Sequence, residues 1–256
     1  FFSLEMPAEQ LGLRLLAIES GVELAKLRSG NYAPSEWTKI TAAMARLSAL
    51  PIWIDDTPAV TVFDVKARVR LLQRQVASGK LTWKDAQGVQ YVLDKVGPVT
   101  IDYLQLMGSP TKQRFVNREQ EVGMNSRELK RAAKELGLPF DVLSQLNREP
   151  EKRQNKRPQL SDLRESGSVE QDADNVMFLF RPGYYSPDEP QLQNFAEVII
   201  AKQRNGPTGR LKVGFRKETT GFENLSRQEY TVYTPDDGDD SMFESFYDDI
   251  DDGLEE

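Results

Sequence analysis

Apolar residues recur with helical spacing along several segments of the chain. Leu11, Leu15 and Ile18 form the first such stripe, and Pro7 precedes it at a place where helices favour proline. The same spacing predicts further helices at residues 24–27, 37–47, 61–75 and 122–136. Gly137 and Pro139 follow the last of these in the order typical of a helix C-terminus.

Short apolar runs between these helices predict strands. The runs are residues 1–4, 51–54, 140–144, 176–180 and 198–201, together with the run that ends at Asp102. Strands that alternate with helices indicate a mostly parallel sheet. Asn205 and Gly206 are a hairpin signal, and with residues 211–215 they predict a β-ribbon at the edge of the sheet. The expected fold is therefore α/β, a mostly parallel sheet flanked by helices with an edge β-hairpin.

Two local patterns refine this expectation. Residues 168–171, Ser-Val-Glu-Gln, match a capping box, which would make Ser168 the cap of a helix. Asp141 falls in what should be a central apolar strand, where an unpaired carboxylate would be costly. Either Asp141 is paired or that strand is shifted.

Composition excludes several kinds of chemistry. The 256 residues include no cysteine and no histidine, so thiolate metal sites, disulfides and a catalytic imidazole are impossible. The net charge of −7 is unevenly distributed, because residues 236–256 are rich in acids and contain no lysine or arginine. We expect a mildly basic domain over residues 1–235 and a disordered acidic tail over 236–256. No apolar stretch approaches the roughly 20 residues that cross a bilayer, which indicates a cytoplasmic protein.

Asp102 is the first candidate for a chemical role. It ends a short apolar run introduced by Gly97 and Pro98. In open α/β sheets ligands gather at the carboxyl ends of strands, where an acid can hold Mg²⁺ against a nucleoside triphosphate. An acid that merely caps a turn after a buried strand is an equally good reading of this pattern by itself.

An ordered series of longer segments carries a resemblance. They read Phe1-Phe-Ser-Leu-Glu-Met6, Ile54-Asp-Asp-Thr-Pro58, Ile101-Asp-Tyr-Leu-Gln-Leu-Met107, Leu143-Ser-Gln-Leu146, the block from Arg157 to Asp174, and Ala201-Lys-Gln-Arg-Asn-Gly-Pro-Thr-Gly209. From Phe1 to about Arg227 the chain resembles the motor domain of bacterial replicative DNA helicases of the DnaB type, which are RecA-like ATPases working as hexameric rings. The resemblance implies ATP and Mg²⁺ as cofactors, a homo-hexamer, single-stranded DNA, primase and a helicase loader as partners, and 5′ to 3′ unwinding.

The resemblance also implies roles for individual residues. Glu5 would activate the attacking water, and Gln145 would sense the γ-phosphate of ATP. Lys202 and Arg204 would reach the ATP bound between subunits; they alternate along one predicted strand face before the hairpin turn. Without the resemblance, Glu5 is an acid beside a helix N-terminus, and the two cations are surface charges that protect an edge strand.

A DNA-binding segment is implied at Asp162-Leu-Arg-Glu-Ser-Gly167. In the family this loop lines the central channel, so Arg164 would contact phosphate, and Glu165, Ser166 and Gly167 would bring the main chain close to the strand. Taken alone, the segment favours a purely structural interpretation, in which Arg164 pairs with a neighbouring acid on a surface turn.

One family feature is missing from the sequence. No Gly-x-x-x-x-Gly-Lys-[Ser/Thr] phosphate loop occurs, although the family places that loop upstream of the Ser-Leu-Glu-Met segment. We expect an upstream part that this sequence does not include. Two other functions stay open: a RecA-like recombinase or repair ATPase, and a non-catalytic DNA-binding ring fragment.

Overall fold

The computed structural model describes residues 1–84, 88–109 and 118–225, and for residues 164–167 it describes the main chain only. Contacts divide the chain into two compact units. The first unit comprises Phe1–Gln154, Leu160–Ala173 and Glu218–Thr220, and the second comprises Asn155–Gln159, Asp174–Lys217 and the described residues from Gly221 onward. The acidic tail predicted for residues 236–256, and the boundary at residue 235, lie outside the described residues.

The first unit alternates helices with short strands. Its strands are β1 (Phe2–Ser3), β2 (Thr82–Lys84), β3 (Gln90–Val92), β4 (Val99–Asp102) and β5 (Phe140–Val142). Its helices are α1 (Ala8–Ser20), α2 (Leu24–Ser29), α3 (Pro34–Ser48), α4 (Val62–Ala77), α5 (Arg118–Leu136), α6 (Glu149–Lys152) and α7 (Gly167–Asp172), with 3-10 helices at Leu104–Leu106 and Leu160–Ser166. The second unit holds β6 (Asn175–Phe180), β7 (Phe195–Gln203), β8 (Gly209–Arg216), β9 (Gly221–Glu223), α8 (Pro182–Tyr185) and a 3-10 helix at Pro190–Leu192.

A parallel sheet of three strands, in the order β1, β4, β5, organises the first unit. Phe2 pairs with Ile101 in β4, and Val142 in β5 also pairs with Ile101. Ile101 is fully buried, as expected for the middle strand of a parallel sheet. The carboxyl ends of all three strands therefore lie along one edge.

Helices α4 and α5 share the apolar core with this sheet. In α4 the buried positions Val62, Val65 and Val69 follow helical spacing, and α5 adds Val122 and Leu129 to the same cluster. The Thr61 hydroxyl caps α4 by accepting a hydrogen bond from the amide of Asp64, 3.3 Å away. Core and cap together explain why the apolar spacing of residues 61–75 produces a helix.

The second unit is an antiparallel sheet in the order β6, β7, β8, β9. Strand β6 buries Val176, Phe178 and Phe180, while Met177 and Leu179 on its opposite face are exposed. This alternation is typical of a strand with one face on a core. The sheet and the parallel sheet of the first unit agree with the α/β class and the antiparallel hairpin expected from sequence.

Several local predictions are wrong. Residues 51–54 form no strand, because only Asp55 makes a bridge to Phe2 and the segment before it is largely exposed. Helix α7 begins at Gly167, so Ser168 lies inside the helix and does not cap it. The predicted hairpin of β7 and β8 is present, but β8 is not the edge strand, since it pairs with both β7 and β9. Asp141 is exposed on β5, so its carboxylate is not buried and does not need a partner there.

Candidate active site

The predicted residues Glu5, Asp102 and Gln145 lie at the carboxyl edge of the parallel sheet. Each follows or ends a different strand: Glu5 comes after β1, Asp102 ends β4, and Gln145 comes after β5. Sequence positions that are far apart are thus brought to the edge where ligands bind in α/β sheets.

The position of Glu5 is set by the strand pair on one side and a tight bend on the other. The Leu4 amide donates to the Asp102 carbonyl oxygen at 2.7 Å, which continues the ladder between β1 and β4. The buried Ser3 hydroxyl donates to the Met6 carbonyl oxygen at 2.6 Å and closes the bend before α1. Glu5, between these two bonds, is exposed at the sheet edge.

Two acids of the Ile54-Asp-Asp-Thr-Pro58 segment support this end of the sheet. The Asp55 amide and carbonyl pair with Phe1 and Ser3, and its carboxylate forms an ion pair with Arg68 of α4. The Asp56 carboxylate accepts from the amide of Ala8 at 2.9 Å, at the N-terminus of α1. Both acids therefore fix the elements on either side of Glu5.

Asp102 is a half-buried carboxyl group in a negative environment. Burial, and after it the negative charge of Glu5, raises the pKa of Asp102, while Arg14 opposes this shift. No described residue donates a hydrogen bond to the Asp102 carboxylate or forms an ion pair with it. Mg²⁺ in phosphate-handling sites is held by one or two carboxylates together with phosphates and water. A carboxylate with free oxygen atoms at the strand end fits that ion.

Gln145 lies beyond the last ladder bonds between β4 and β5. The Leu143 amide donates to the Ile101 carbonyl at 3.0 Å, and the Leu104 amide donates to the Leu143 carbonyl at 2.9 Å. Beyond these bonds, the side chain of Gln105 bonds to the main chain of Gln145 in the way that a neighbouring strand would. Its Oε1 accepts from the Gln145 amide and its Nε2 donates to the Gln145 carbonyl oxygen, both at 3.2 Å.

Lys202 and Arg204 belong to the second unit. Lys202 lies in β7, but that strand ends at Gln203, so Arg204 is in the hairpin turn rather than on the same strand face as Lys202. The prediction that both alternate along one strand is wrong for this reason. Arg204 Nη1 donates to Asp174 Oδ1 at 2.8 Å, and the Arg204 side chain is 65% exposed.

The predicted DNA-binding residues continue a helical main chain. Arg164, Glu165 and Ser166 end the second 3-10 helix, and Gly167 begins α7, where the sequence suggested a loop. Their side chains lie outside what the structure describes. Just before them, the buried Asp162 accepts from Arg153 Nη1 and Nη2 at 3.1 and 2.7 Å. The base of the segment is therefore firmly anchored.

Sequence reasoning did not single out Gln105, Arg153 or the partners of the buried acids. Gln105 lies within the Ile101 to Met107 segment, but an isolated glutamine gives no periodic or charge signal. Its contact with Gln145 follows from the parallel register of β4 and β5, which places residues about 40 positions apart side by side.

Among the helices that the structure describes, none combines the length and apolarity needed to cross a membrane.

Comparison with known proteins identifies the family of the chain. The sequence-family model of the DnaB-like helicase C-terminal domain matches residues 1–224. The chain is 46% identical to the replicative DNA helicase DnaB of Geobacillus stearothermophilus over 227 residues, which are 89% of this chain and 46% of that protein. It is also 46% identical to the replicative DNA helicase DnaC of Bacillus subtilis, with the same coverage. The chain thus spans about half the length of these curated relatives.

The fold gives the same result. A solved structure of a DnaB-like replicative helicase, described with its interactions with primase, superimposes with a TM-score of 0.76 at 35% identity. The match covers 88% of this chain and 50% of that one. The α/β architecture expected from sequence is confirmed by this likeness. Because the family model matches residues 1–224 and the relatives are similar over most of the chain, the chain belongs to the DnaB-like helicase family. It corresponds to the C-terminal domain of that family.

Proposed function

We propose that this chain is the ATP-hydrolysing motor of a replicative DNA helicase, which moves along single-stranded DNA and unwinds duplex at the replication fork. The observation that carries the proposal is the sheet edge with Glu5, Asp102 and Gln145 in a chain of this family. Phosphoryl transfer needs a metal, an oriented water and a way to respond to the terminal phosphate. These three side chains supply one candidate for each requirement.

Each residue has a distinct task in hydrolysis. Asp102 holds Mg²⁺, which would supply neutralisation of the charge on the ATP phosphates. Glu5 accepts a proton from the water as its oxygen bonds to the γ-phosphorus and the bond from that phosphorus to the ADP oxygen breaks. The side-chain amide of Gln145 contacts the terminal phosphate of ATP and responds to the loss of that phosphate. Its side chain has no hydrogen-bond partner among the described residues, so it is free for a ligand.

Lys202 and Arg204 act on the nucleotide of a neighbouring subunit in a homo-hexamer. Support comes from the exposure of Arg204 and from the nature of its contact with Asp174, whose side chain is 50% exposed. An exposed ion pair of this kind contributes little stability. The Arg204 guanidinium can therefore exchange Asp174 for a phosphate at small cost, and an arginine supplied in trans can accelerate phosphoryl transfer greatly.

DNA contact is assigned to Arg164, Glu165, Ser166 and Gly167. The anchored Asp162 immediately before them gives this segment a fixed base from which a cation can reach a phosphate. Phosphate contacts carry little sequence information, which suits a motor that must move over any sequence. Primase and a helicase loader are the proposed protein partners, and the site of action is the replication fork in the bacterial cytoplasm.

The test uses the complete gene product. ATP hydrolysis stimulated by single-stranded DNA, together with displacement of a strand from a forked duplex, is the expected result. Hydrolysis without strand displacement would favour a recombinase or repair ATPase. Absence of both ATP binding and hydrolysis would favour a non-catalytic ring component.

A pair of matched variants tests the site itself. Asp102→Asn should lower hydrolysis by roughly 100-fold or more, because electrostatic stabilisation of the transferred group is lost. Asp141→Asn makes the same chemical change at an exposed position of the adjacent strand β5 and should leave hydrolysis unchanged. Equal rates in both variants would remove Asp102 from the site.

A further inference from the structure

Gln105 connects two segments of the candidate active site. It lies in the 3-10 helix Leu104–Leu106, directly after the strand that ends at Asp102. Its Nε2 donates to Ser144 Oγ at 3.0 Å as well as to the Gln145 carbonyl oxygen, and its Oε1 accepts from the Gln145 amide. One side chain therefore binds the main chain of Gln145 through both a donor and an acceptor.

The arrangement extends the sheet by one residue. In a ladder, a peptide group supplies one N–H and one carbonyl oxygen to its neighbour, and the Gln105 amide offers the same two groups. It does so just beyond the last main-chain bond between Leu104 and Leu143. The Gln145 main chain is thus held to the β4 side of the site, although β5 itself has already ended at Val142.

Only the main chain of Gln145 is held in this way. Its side chain is exposed and makes no hydrogen bond to any described residue. A fixed backbone with an unengaged amide is what a residue needs if it is to meet a ligand in a defined position. The simpler reading is that Gln105 only satisfies polar groups at a strand end, and that reading predicts a stability effect without a specific catalytic one.

We propose that Gln105 is a positioning residue of the ATPase site: it fixes the Gln145 main chain relative to Asp102, so that the Gln145 side chain meets the terminal phosphate of ATP. This inference rests on the proposed function. Gln105 itself is not proposed to touch ATP or Mg²⁺.

The first test measures the Gln105–Gln145 interaction without nucleotide. Gln105→Met in the complete gene product keeps the length of the side chain but removes its donor and acceptor. Hydrogen exchange at the Gln145 amide, followed by mass spectrometry, should become faster by roughly fivefold or more. The control is Gln73→Met, because Gln73 Nε2 donates to the Leu136 carbonyl at 2.9 Å elsewhere in the same unit. Gln73→Met should leave exchange at Gln145 unchanged.

The second test separates positioning from general destabilisation. Gln105→Met should lower kcat for ATP hydrolysis by roughly tenfold or more, with KM for ATP within about twofold of wild type, since misplacement of a group near the reacting atoms affects mainly the chemical step. Gln73→Met should lower the melting temperature without this loss of kcat.

A third variant asks whether restoring the donor restores the rate. In Gln105→Glu an ionised carboxylate can accept from the Gln145 amide but cannot donate to the carbonyl oxygen or to Ser144. The Ser144 hydroxyl and the Gln145 carbonyl are uncharged, so a donor returns at this position only when the new carboxyl group is protonated. The ratio of the variant kcat to the wild-type kcat should therefore rise as pH is lowered from 8 to about 4.5, where a glutamic acid side chain becomes substantially protonated.

Several results would overturn the inference. They are unchanged exchange at Gln145 in Gln105→Met, faster exchange with unchanged kcat, an equal loss of kcat in Gln73→Met, or a ratio for Gln105→Glu that does not vary with pH. Failure of the wild-type protein to hydrolyse ATP would instead refute the proposed function, which distinguishes the two conclusions.

Discussion

Glu5 follows β1 and Asp102 ends the neighbouring parallel strand β4, and the negative charge of Glu5 adds to burial in raising the pKa of the Asp102 carboxyl. Both effects favour the protonated form, so the ionised carboxylate at neutral pH lowers the stability of the fold. A charge held at such a cost is typical of functional sites, where a ligand rather than the protein supplies the compensating charge.

Asp102→Asn should therefore raise the melting temperature at pH 7, even though it is expected to lower hydrolysis by roughly 100-fold or more. Because the folded-state pKa lies above the unfolded one, the native state loses stability as pH rises through the folded pKa. The amide removes that loss, so the gain over wild type should shrink on acidification and vanish below about pH 4, where the carboxyl is protonated in both states. Thermal denaturation at several pH values across this range measures the difference in melting temperature between Asp102→Asn and wild type. Asp141→Asn is the control. An equal or lower melting temperature at pH 7 would contradict the argument.

Glu5→Gln should bind ATP and assemble normally but fail to turn over. The amide keeps the size of the side chain, whereas it cannot accept the proton of the attacking water. Hydrolysis should fall by roughly 100-fold or more while nucleotide affinity and hexamer mass stay unchanged. Isothermal titration and mass photometry supply these readings. If Glu5→Gln hydrolyses ATP at the normal rate, the base lies elsewhere.

Arg204→Ala and Glu5→Gln subunits, each inactive alone, should recover some hydrolysis when mixed in one ring. Certain interfaces then combine an intact Glu5 with an intact Arg204 from the neighbour. The measurement is the ATPase rate of mixed rings whose composition has been verified. Asp174→Asn, which weakens the exposed ion pair with Arg204 but leaves Arg204 in place, should retain activity. No recovery in the mixed rings would argue against action in trans.

Arg164→Ala should weaken binding of single-stranded DNA about equally for all base sequences. For each DNA phosphate that Arg164 no longer neutralises, the dependence of log K on log salt should become shallower by roughly 0.7 units for single strands. Unwinding should decline with affinity, whereas hydrolysis without DNA should persist. Arg131→Ala, at an exposed position of α5, is the matched control. A weakening limited to particular base sequences, or a loss of basal hydrolysis, would contradict the assignment.

Breaking the buried ion pair between Arg157 and Glu197 should strongly destabilise the second unit. Arg157 Nε and Nη2 each donate to a different oxygen of Glu197 at 2.8 Å, and the Glu197 side chain is 1% exposed. Glu197→Gln removes the buried carboxylate charge that faces the Arg157 guanidinium and should cost about 3–5 kcal/mol in urea denaturation. Glu223→Gln breaks the exposed pair with Arg216 in the same sheet and should cost no more than about 1 kcal/mol. Similar costs would show that burial does not strengthen the first pair.

Helical spacing predicted the helices well because α4 and α5 face one core with a single apolar stripe. The residues 61–75 became α4, and the stripe ending at Leu136 became α5. Strands were harder to predict. Residues 51–54 resemble a buried strand by composition, yet they lie largely exposed, because the single bridge from Asp55 to Phe2 does not extend to them. Short apolar runs do not reveal whether a neighbouring strand will pair with them.

The sequence by itself determined the family, the α/β class, and the candidates Glu5, Asp102 and Gln145, since motifs and strand ends are local properties of the chain. Tertiary structure alone decided which groups support them. The parallel register of β4 and β5 placed Gln105 beside Gln145, and the path of the chain buried Asp162 against Arg153. Hydrogen bonds and ion pairs between residues distant in sequence depend on register and burial, and neither leaves a periodic signal in the chain.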